Sequence, residues 1–540
     1  MNKHKSFTGK LAKLALALVM ALTMVITAVP ALADTTTGDS TPTEESSTTA
    51  TTPTHTITIS NIEGDTASHT YAAYQVFAGK YDATNNNLAN VTWGSGVDGA
   101  GLLTALKADT TIGSKFTNAT TAAQVAEAMK DFTEAETKAF AEVVSAHLSS
   151  TTAATGASPL TVTGDGYYFV KDTDTTDADA NTAKTRYILQ VVKDVTVTAK
   201  SSVPTVEKKV KEKNDTTGVE TGWQDAADYD IGDEIPYQIT GTLPSTFADY
   251  KTYKTYTFTD TLSNGLTITD AEKAAIKVTV GTTDVTSHFD VAVNGQVLTV
   301  SLKDGEDLKT WTDPALTAES KIVVSYSATL NNNAKIGSEG NPNTVNLTFS
   351  NNPNAGGDGD HGKTPDDKVT VFTYEIKAKK VGEDGKTPLE GAGFTLYKKG
   401  SDGNYTAVGT EITGVTTFEF KGTDAGEYKL VEKTVPAGYN KAEDITFTVT
   451  ATYDTTSADP KLTSLTVTSA EANFAVTTTT STDGKSITTD GKATTTITNK
   501  KGSTLPSTGG IGTTIFYILG AVLVIGAGIV LAVRRKTARG

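Results

Sequence analysis

Two lysines stand where strand alternation turns a side chain inward. Lys380 shares a face with Ile376 and Ala378, and Lys208 shares one with Val206 and Val210. Amide and carboxyl side chains fall in the same setting. Asn499 lines up with Thr495 and Ile497, and Asn343 with Val345, Leu347 and Phe349. Glu432 lines up with Tyr428 and Leu430, and Asp260 with Tyr256 and Phe258. The neighbouring Lys209 and Lys379 fall on the opposite faces. A lysine between apolar residues either snorkels at a sheet edge with its ammonium in water or is buried. Burial lowers its pKa, and the neutral amine is a nucleophile. A carboxylic acid kept protonated by the same burial can hydrogen-bond a carbonyl and shuttle protons. For an isolated strand the snorkelling lysine is the preferred reading.

Other reactive constellations are missing from the sequence. The six histidines, His4, His55, His69, His147, His288 and His361, are scattered without metal-ligand spacing. There is no cysteine, which excludes disulfides, thiolate zinc sites and cysteine nucleophiles. Asp358, Asp360 and His361 hint at a calcium loop, but the later glutamate is not at the required spacing. No phosphate-binding glycine loop and no Ser-His-Asp set is identifiable. The expectation is a protein that is not an enzyme and holds no cofactor or metal.

The elements that position these residues follow from the chain's organisation. Its 540 residues allow about three domains at ~150 residues each. Residues 1–33 form a signal peptide: four lysines, the apolar run Leu14 to Val29, then the small-x-small site Ala31-Leu32-Ala33. Residues 34–54 are a polar, disordered leader. The formal net charge is -15, and the segment between the two basic ends carries -23, which argues against nucleic acid. Residues 55–200 read as a β-domain with a helical insertion at about Thr121 to Leu148, where Thr133 and Glu136 fit a capping box. Residues 203–353 hold seven short alternating segments with Asn-Gly turns at 264–265 and 294–295, the pattern of an immunoglobulin-like sandwich. A linker is expected at 354–368 and a third strand-rich domain at 369–500. The fold class is therefore mainly β: tandem immunoglobulin-like sandwiches, the first with helices inserted.

Leu505-Pro506-Ser507-Thr508-Gly509 precedes an apolar span, Ile515 to Val533, and then Arg534, Arg535, Lys536 and Arg539. The span is long enough to cross a bilayer, and the basic tail orients it inward. The three parts in this order, at 505–540, resemble the cell-wall sorting signal of Gram-positive surface proteins. Sortases cleave that motif between Thr and Gly and hold the Thr as a thioester until an amine displaces it.

The third domain extends the likeness. Leu389-Glu390-Gly391-Ala392-Gly393-Phe394-Thr395-Leu396-Tyr397, Gly426-Glu427-Tyr428-Lys429-Leu430-Val431-Glu432, Pro436-Ala437-Gly438-Tyr439 and Ile497-Thr498-Asn499 closely resemble the collagen-adhesin B-type domain of Gram-positive pilins, including its E-box. Val206-Glu207-Lys208-Lys209-Val210, Thr259-Asp260-Thr261-Leu262 and Asn343-Thr344-Val345 resemble the middle domain of backbone pilins. The likeness is weakest in the first domain.

This resemblance implies spontaneous Lys–Asn isopeptide bonds inside domains: Lys208 to Asn343 promoted by Asp260, and Lys380 to Asn499 promoted by Glu432. The first domain lacks the set. Ile57-Thr58-Ile59-Ser60-Asn61 has no lysine, and Lys171 and Asp172 stand near the E-box acid position, so no bond is expected there. The resemblance also implies a lysine that accepts the next subunit's threonine. Val195-Thr196-Val197-Thr198-Ala199-Lys200 matches that motif at its valines and lysine, with Lys193 as the alternative. The expected protein is the shaft subunit of a covalent surface pilus. It is exported, wall-anchored and joined through Thr508 and Lys200. Its partners are a pilus sortase, copies of itself, accessory pilins, peptidoglycan and host matrix or glycan. The alternative is a monomeric wall-anchored adhesin, which needs no acceptor lysine.

Overall fold

The computed structural model describes residues 52–538, except 63–64, 66, 174–179, 200, 354–359, 456–457, 481–486 and 503–510. The signal peptide and nearly all of the leader lie outside the described residues. Thr54, the last leader residue by sequence, already belongs to the first strand.

The N-terminal part has two sheets. In the smaller, Thr54–Ser60 lies between Leu160–Thr163, antiparallel, and Val195–Thr198, parallel. Ile57 and Ile59 are turned into a core with Leu160, Val162, Tyr168 and Val170, as the period of two requires. The larger runs Asn87–Trp93, Tyr71–Asp82, Gly166–Asp172 and Arg186–Val191. Two helices occupy the expected helical stretch, Ala122–Ala128 and Glu134–Ser145. Each begins at a reciprocal capping box, on Thr121 and Thr133. A third helix, Gly99–Ala108, was not foreseen. Asp98 caps it, and Leu102 and Leu106 bury it.

The middle part is a two-sheet sandwich in which all seven expected strands appear. One sheet contains Asp367–Phe372, Asn341–Ser350, Tyr256–Leu262 and Val297–Leu302. The other contains Lys321–Leu330, Glu234–Thr242 and Val206–Val210. Lys321–Leu330 shows the pattern most plainly, since every second residue from Ile322 to Leu330 is buried. The Asn294-Gly295 turn closes a hairpin between Phe289–Asn294 and Val297–Leu302. Asn264-Gly265 instead carries the chain across to the other sheet, where Leu266–Thr267 pairs with Lys321–Leu330. A Cβ on Gly265 would meet Asn341 Oδ1 at 2.1 Å, so glycine is needed there.

Of the linker expected at 354–368, residues 354–359 lie outside the described residues, and the part from 361 onward is corrected. His361–Lys363 and Asp367–Phe372 both pair antiparallel with Asn341–Ser350. Val369 and Val371 are fully buried in the middle core, so burial draws this stretch into the sandwich. The third sandwich consequently starts at Tyr374 rather than at residue 369. Its sheets are Thr417–Thr423, Tyr374–Val381, Ile487–Thr498, Ala475–Thr480, and Tyr405–Thr413, Gly393–Lys399, Gly426–Thr434, Ile445–Tyr453, Leu462–Thr468. Its first and last strands, Tyr374–Val381 and Ile487–Thr498, are adjacent and parallel, with Lys380 opposite Ile497.

Ile511–Thr537 is one helix, and its segment Thr514–Thr537 is long and apolar enough, by length and composition, to cross a membrane. Its large apolar side chains are exposed, as Phe516 and Val524 illustrate.

Candidate functional sites

In the third sandwich, the parallel pairing of first and last strands brings Lys380 beside Asn499, which follows the last strand by one residue. Lys380 Nζ donates to Asn499 Oδ1 in a very short contact, and lies 3.6 Å from Glu432 Oε1. Asn499 Nδ2 donates to Glu432 Oε1 at 2.9 Å and Oε2 at 3.1 Å. Ala442 N–H donates to Glu432 Oε2 at 2.6 Å and fixes the carboxyl group. The ring of Phe394 lies 5.8 Å from Nζ. All three side chains are buried. Burial lowers the Lys380 pKa, and the nearby Glu432 opposes that shift. The arrangement therefore presents an amine of weakened basicity to an amide carbonyl. The amide's NH2, the group that would depart, is held on a carboxyl group.

The middle sandwich assembles its set across the core. Lys208 comes from one sheet, and Asp260 and Asn343 from adjacent strands of the other, where Leu262 is opposite Asn343. Lys208 Nζ donates to Asp260 Oδ1 at 2.8 Å and to Tyr326 Oη at 2.7 Å. Tyr326 O–H in turn donates to Asp260 Oδ2 in a very short contact, and Asn343 Nδ2 donates to Tyr326 Oη at 2.8 Å. Asn343 Oδ1 is buried and accepts no hydrogen bond among the described residues. The stacked rings of Tyr237 and Tyr326 each lie 5.0 Å from Nζ. Burial lowers the Lys208 pKa, against the pull of Asp260, and pushes the Tyr326 phenol well above its usual value. Amine and amide thus meet on a shared hydroxyl. Sequence reading missed Tyr326. Its inward parity with Ile322 and Val324 made it look like any core tyrosine, although a buried hydroxyl needs a partner.

The N-terminal part holds a different set at the corresponding place. Asp172 ends Gly166–Asp172, and its carboxylate is taken by His69 Nδ1 at 2.5 Å. Asp65 holds His69 Nε2 at 3.0 Å. The hydrogen bond to Asp172 is the main cause that raises the His69 pKa to about 10, with Asp65 adding to it. Lys171 is half-buried, with Nζ 5.5 Å from the Tyr74 ring.

The remaining assigned residues fall elsewhere. Leu505 to Gly509 and Lys200 lie outside the described residues. Lys193 is exposed, between Arg186–Val191 and Val195–Thr198. Asp358 is outside the described residues. Asp360 is not set up as a calcium ligand, because Lys184 Nζ lies 3.2 Å from its Oδ2 and Asn352 Nδ2 donates to the same oxygen.

A further charged cluster joins the middle and third sandwiches. Lys398 Nζ donates to Asp215 and Asp230, both at 2.7 Å, and lies 2.6 Å from Asp424 Oδ1. Asp424 N–H and Ala425 N–H donate across the same joint to Asp230 and Asp228. Sequence reading could not find this set, because its members are separated by up to about two hundred residues and come from two domains.

Comparison with known proteins adds three family matches. Residues 231–353 match the Gram-positive pilin backbone subunit 2, Cna-B-like domain; 374–462 match a prealbumin-like fold domain; 497–538 match the LPXTG cell wall anchor motif. The chain is 29% identical over 401 residues to a trypsin-resistant surface T6 protein of Streptococcus pyogenes serotype M6, covering 63% of this chain and 70% of that one. Among solved structures it is similar to the T6 backbone pilin of serotype M6 S. pyogenes, with 20% identity, TM-score 0.49, and 83% and 99% of the two chains covered. It is also similar to the major pilin SpaD of Corynebacterium diphtheriae, with 17% identity, TM-score 0.43, and 84% and 98% covered.

Proposed function

We propose that the chain is a sortase-assembled backbone pilin with a wall anchor, a reading supported by its pilin-backbone and LPXTG-anchor matches and its likeness to the T6 protein, and that a small set of residues builds and locks the shaft. A sortase cleaves after Thr508 and holds it as a thioester. The Lys200 amine of a neighbouring copy displaces the thiolate, and an amide bond joins the two subunits. The last subunit is passed to peptidoglycan. The protein serves as building material and does not act on an external substrate.

Within each subunit, Lys380 Nζ attacks Asn499 Cγ. An amide forms, the Cγ–Nδ2 bond breaks, and Nδ2 leaves as ammonia with a proton relayed by Glu432. Lys208, Asn343 and Asp260 do the same in the middle sandwich, with the Tyr326 hydroxyl withdrawing from between amine and amide. The folded core supplies the effective concentration: Lys380 already touches Asn499, and Lys208 and Asn343 are held on one hydroxyl. The observation that carries this reading is the buried contact of Lys380 with Asn499, whose NH2 rests on Glu432.

The test of the shaft role is an immunoblot of wall material released by muramidase. A ladder of very large, boiling-resistant species is expected. A single band at monomer size would overturn the shaft and leave a wall-anchored adhesin.

A further inference from the structure

The strand Val195–Thr198 is the outer strand of its sheet. Among the described residues it pairs with Thr54–Ser60 and with no other strand. Its two sides can be assigned. Ala199 N–H donates to Ser60 O at 2.9 Å, so residue 199 faces the paired strand. Backbone groups alternate along a strand, so Val195 and Val197 face it too, and Thr196 and Thr198 turn their N–H and C=O groups to the open edge. Val195 and Val197 are half-buried and packed on the small core, whereas Thr196 and Thr198 are exposed. The strand carries none of the usual guards of an open edge: no proline, no charge and no bulge.

We propose that this edge receives the sorting segment of an incoming second copy, which adds to it as a parallel strand. The proposal rests on the reading of Lys200 as the acceptor. Lys200 lies two residues beyond Thr198. Thr508 of the incoming copy must therefore end at the C-terminal end of Val195–Thr198. A chain that arrives there along the edge runs in the strand's own direction. An antiparallel segment would instead lie beyond residue 200, off the strand.

The sequence of the incoming segment fits this geometry. Pro506 has no N–H, so on an added strand it must face away from the ladder. Leu505 and Ser507 then face it and interleave with Thr196 and Thr198, sharing three main-chain hydrogen bonds: Thr196 N–H to Leu505 O, Ser507 N–H to Thr196 O and Thr198 N–H to Ser507 O. Main-chain pairing of this kind gives affinity with little demand on side chains. It would hold the thioester carbonyl beside the lysine before the bond forms.

The test compares amide exchange, residue by residue, in monomeric ectodomain and in fibres released from the wall. In the monomer, Val197 and Ala199 should exchange slowly and Thr196 and Thr198 fast. In the fibre, Thr196 and Thr198 should slow by about tenfold or more. If both stay fast in fibres whose cross-link maps to Lys200, this docking is wrong and the acceptor assignment stands. If the cross-link maps to Lys193, at the other end of the strand, the assignment and the parallel docking both fail. Thr198→Pro removes a donor on the open side only. With Val197 still protected as the control for folding, it should slow fibre growth, and unchanged growth would overturn the proposal.

Discussion

Lys380 and Asn499 are 119 residues apart in sequence and in direct contact in the core, because the first and last strands of the third sandwich lie side by side and run parallel. A covalent bond at that point joins the two ends through which tension enters and leaves the domain.

The first prediction is a mass deficit. Each bond expels one ammonia, so the recombinant ectodomain should be about 34 Da lighter than its sequence, from two amine–amide condensations. Glu432→Ala should restore only the third sandwich's ammonia, and Asp260→Ala only the middle one's. An intact mass equal to the calculated value would refute both bonds.

Tyr326 offers a sharper test of the middle site. Its hydroxyl touches amine, acid and amide at once. If Asp260 moves the proton, Tyr326→Phe should keep the mass deficit while Asp260→Ala loses it. Loss of the deficit in Tyr326→Phe would make the phenol the proton carrier instead.

Much of this chemistry is legible in the sequence, for a simple reason. A period of two assigns each strand residue to a face, so alternation places Lys208, Asp260, Asn343, Lys380, Glu432 and Asn499 beside apolar neighbours, the likeness to pilin domains favours burial over snorkelling, and all six are buried. What alternation cannot supply is which strands become neighbours. That hid Tyr326 among core tyrosines and Lys398 among surface lysines. It also made Val369 and Val371 look like the start of the third domain, although they close the second. Gly99–Ala108 was missed because its two core leucines give too short a helical pattern to stand out.

The joint between the middle and third sandwiches should depend on Lys398. Its side chain is 7% exposed and neutralises carboxylates from both domains. Lys398→Met leaves the buried Asp424 without its cation, and loss of one partner from a buried pair costs about 3 kcal/mol, whereas Asp215, 41% exposed, adds little. The measurement is chemical denaturation of the ectodomain, with the midpoint expected to fall. An unchanged midpoint would mean that the remaining hydrogen bonds hold the joint alone.

His69 makes the N-terminal domain pH-sensitive. Its pKa in the folded chain, about 10, is above the unfolded value of 6.5. The stabilisation is therefore complete below pH 6.5 and is lost as pH rises toward 10, at about 1.4 kcal/mol per pH unit as an upper bound. The lowest thermal transition should drop between pH 6 and pH 9. His69→Gln should flatten that dependence; a transition that falls as steeply in the variant would place the effect elsewhere.

Resistance to unfolding should follow the covalent bonds. A Lys380–Asn499 bond would close a loop of about 120 residues, and by analogy with a disulfide it would remove on the order of 4–5 kcal/mol of unfolded-state entropy. The Lys208–Asn343 bond closes a loop of similar size, although the strand Asp367–Phe372 follows it and stays outside the loop. With that bond in place, load in the third sandwich would pass directly from first strand to last through covalent chain, while the N-terminal domain would bear it on hydrogen bonds and the His69 ion pairs. That domain should yield first to heat and protease. Limited trypsin digestion of the ectodomain should leave a resistant core that starts near residue 200, and Lys380→Ala should open the third sandwich to cleavage as well. Survival of residues 55–200 alongside the rest would mean that the first domain owes its durability to something other than a Lys–Asn bond.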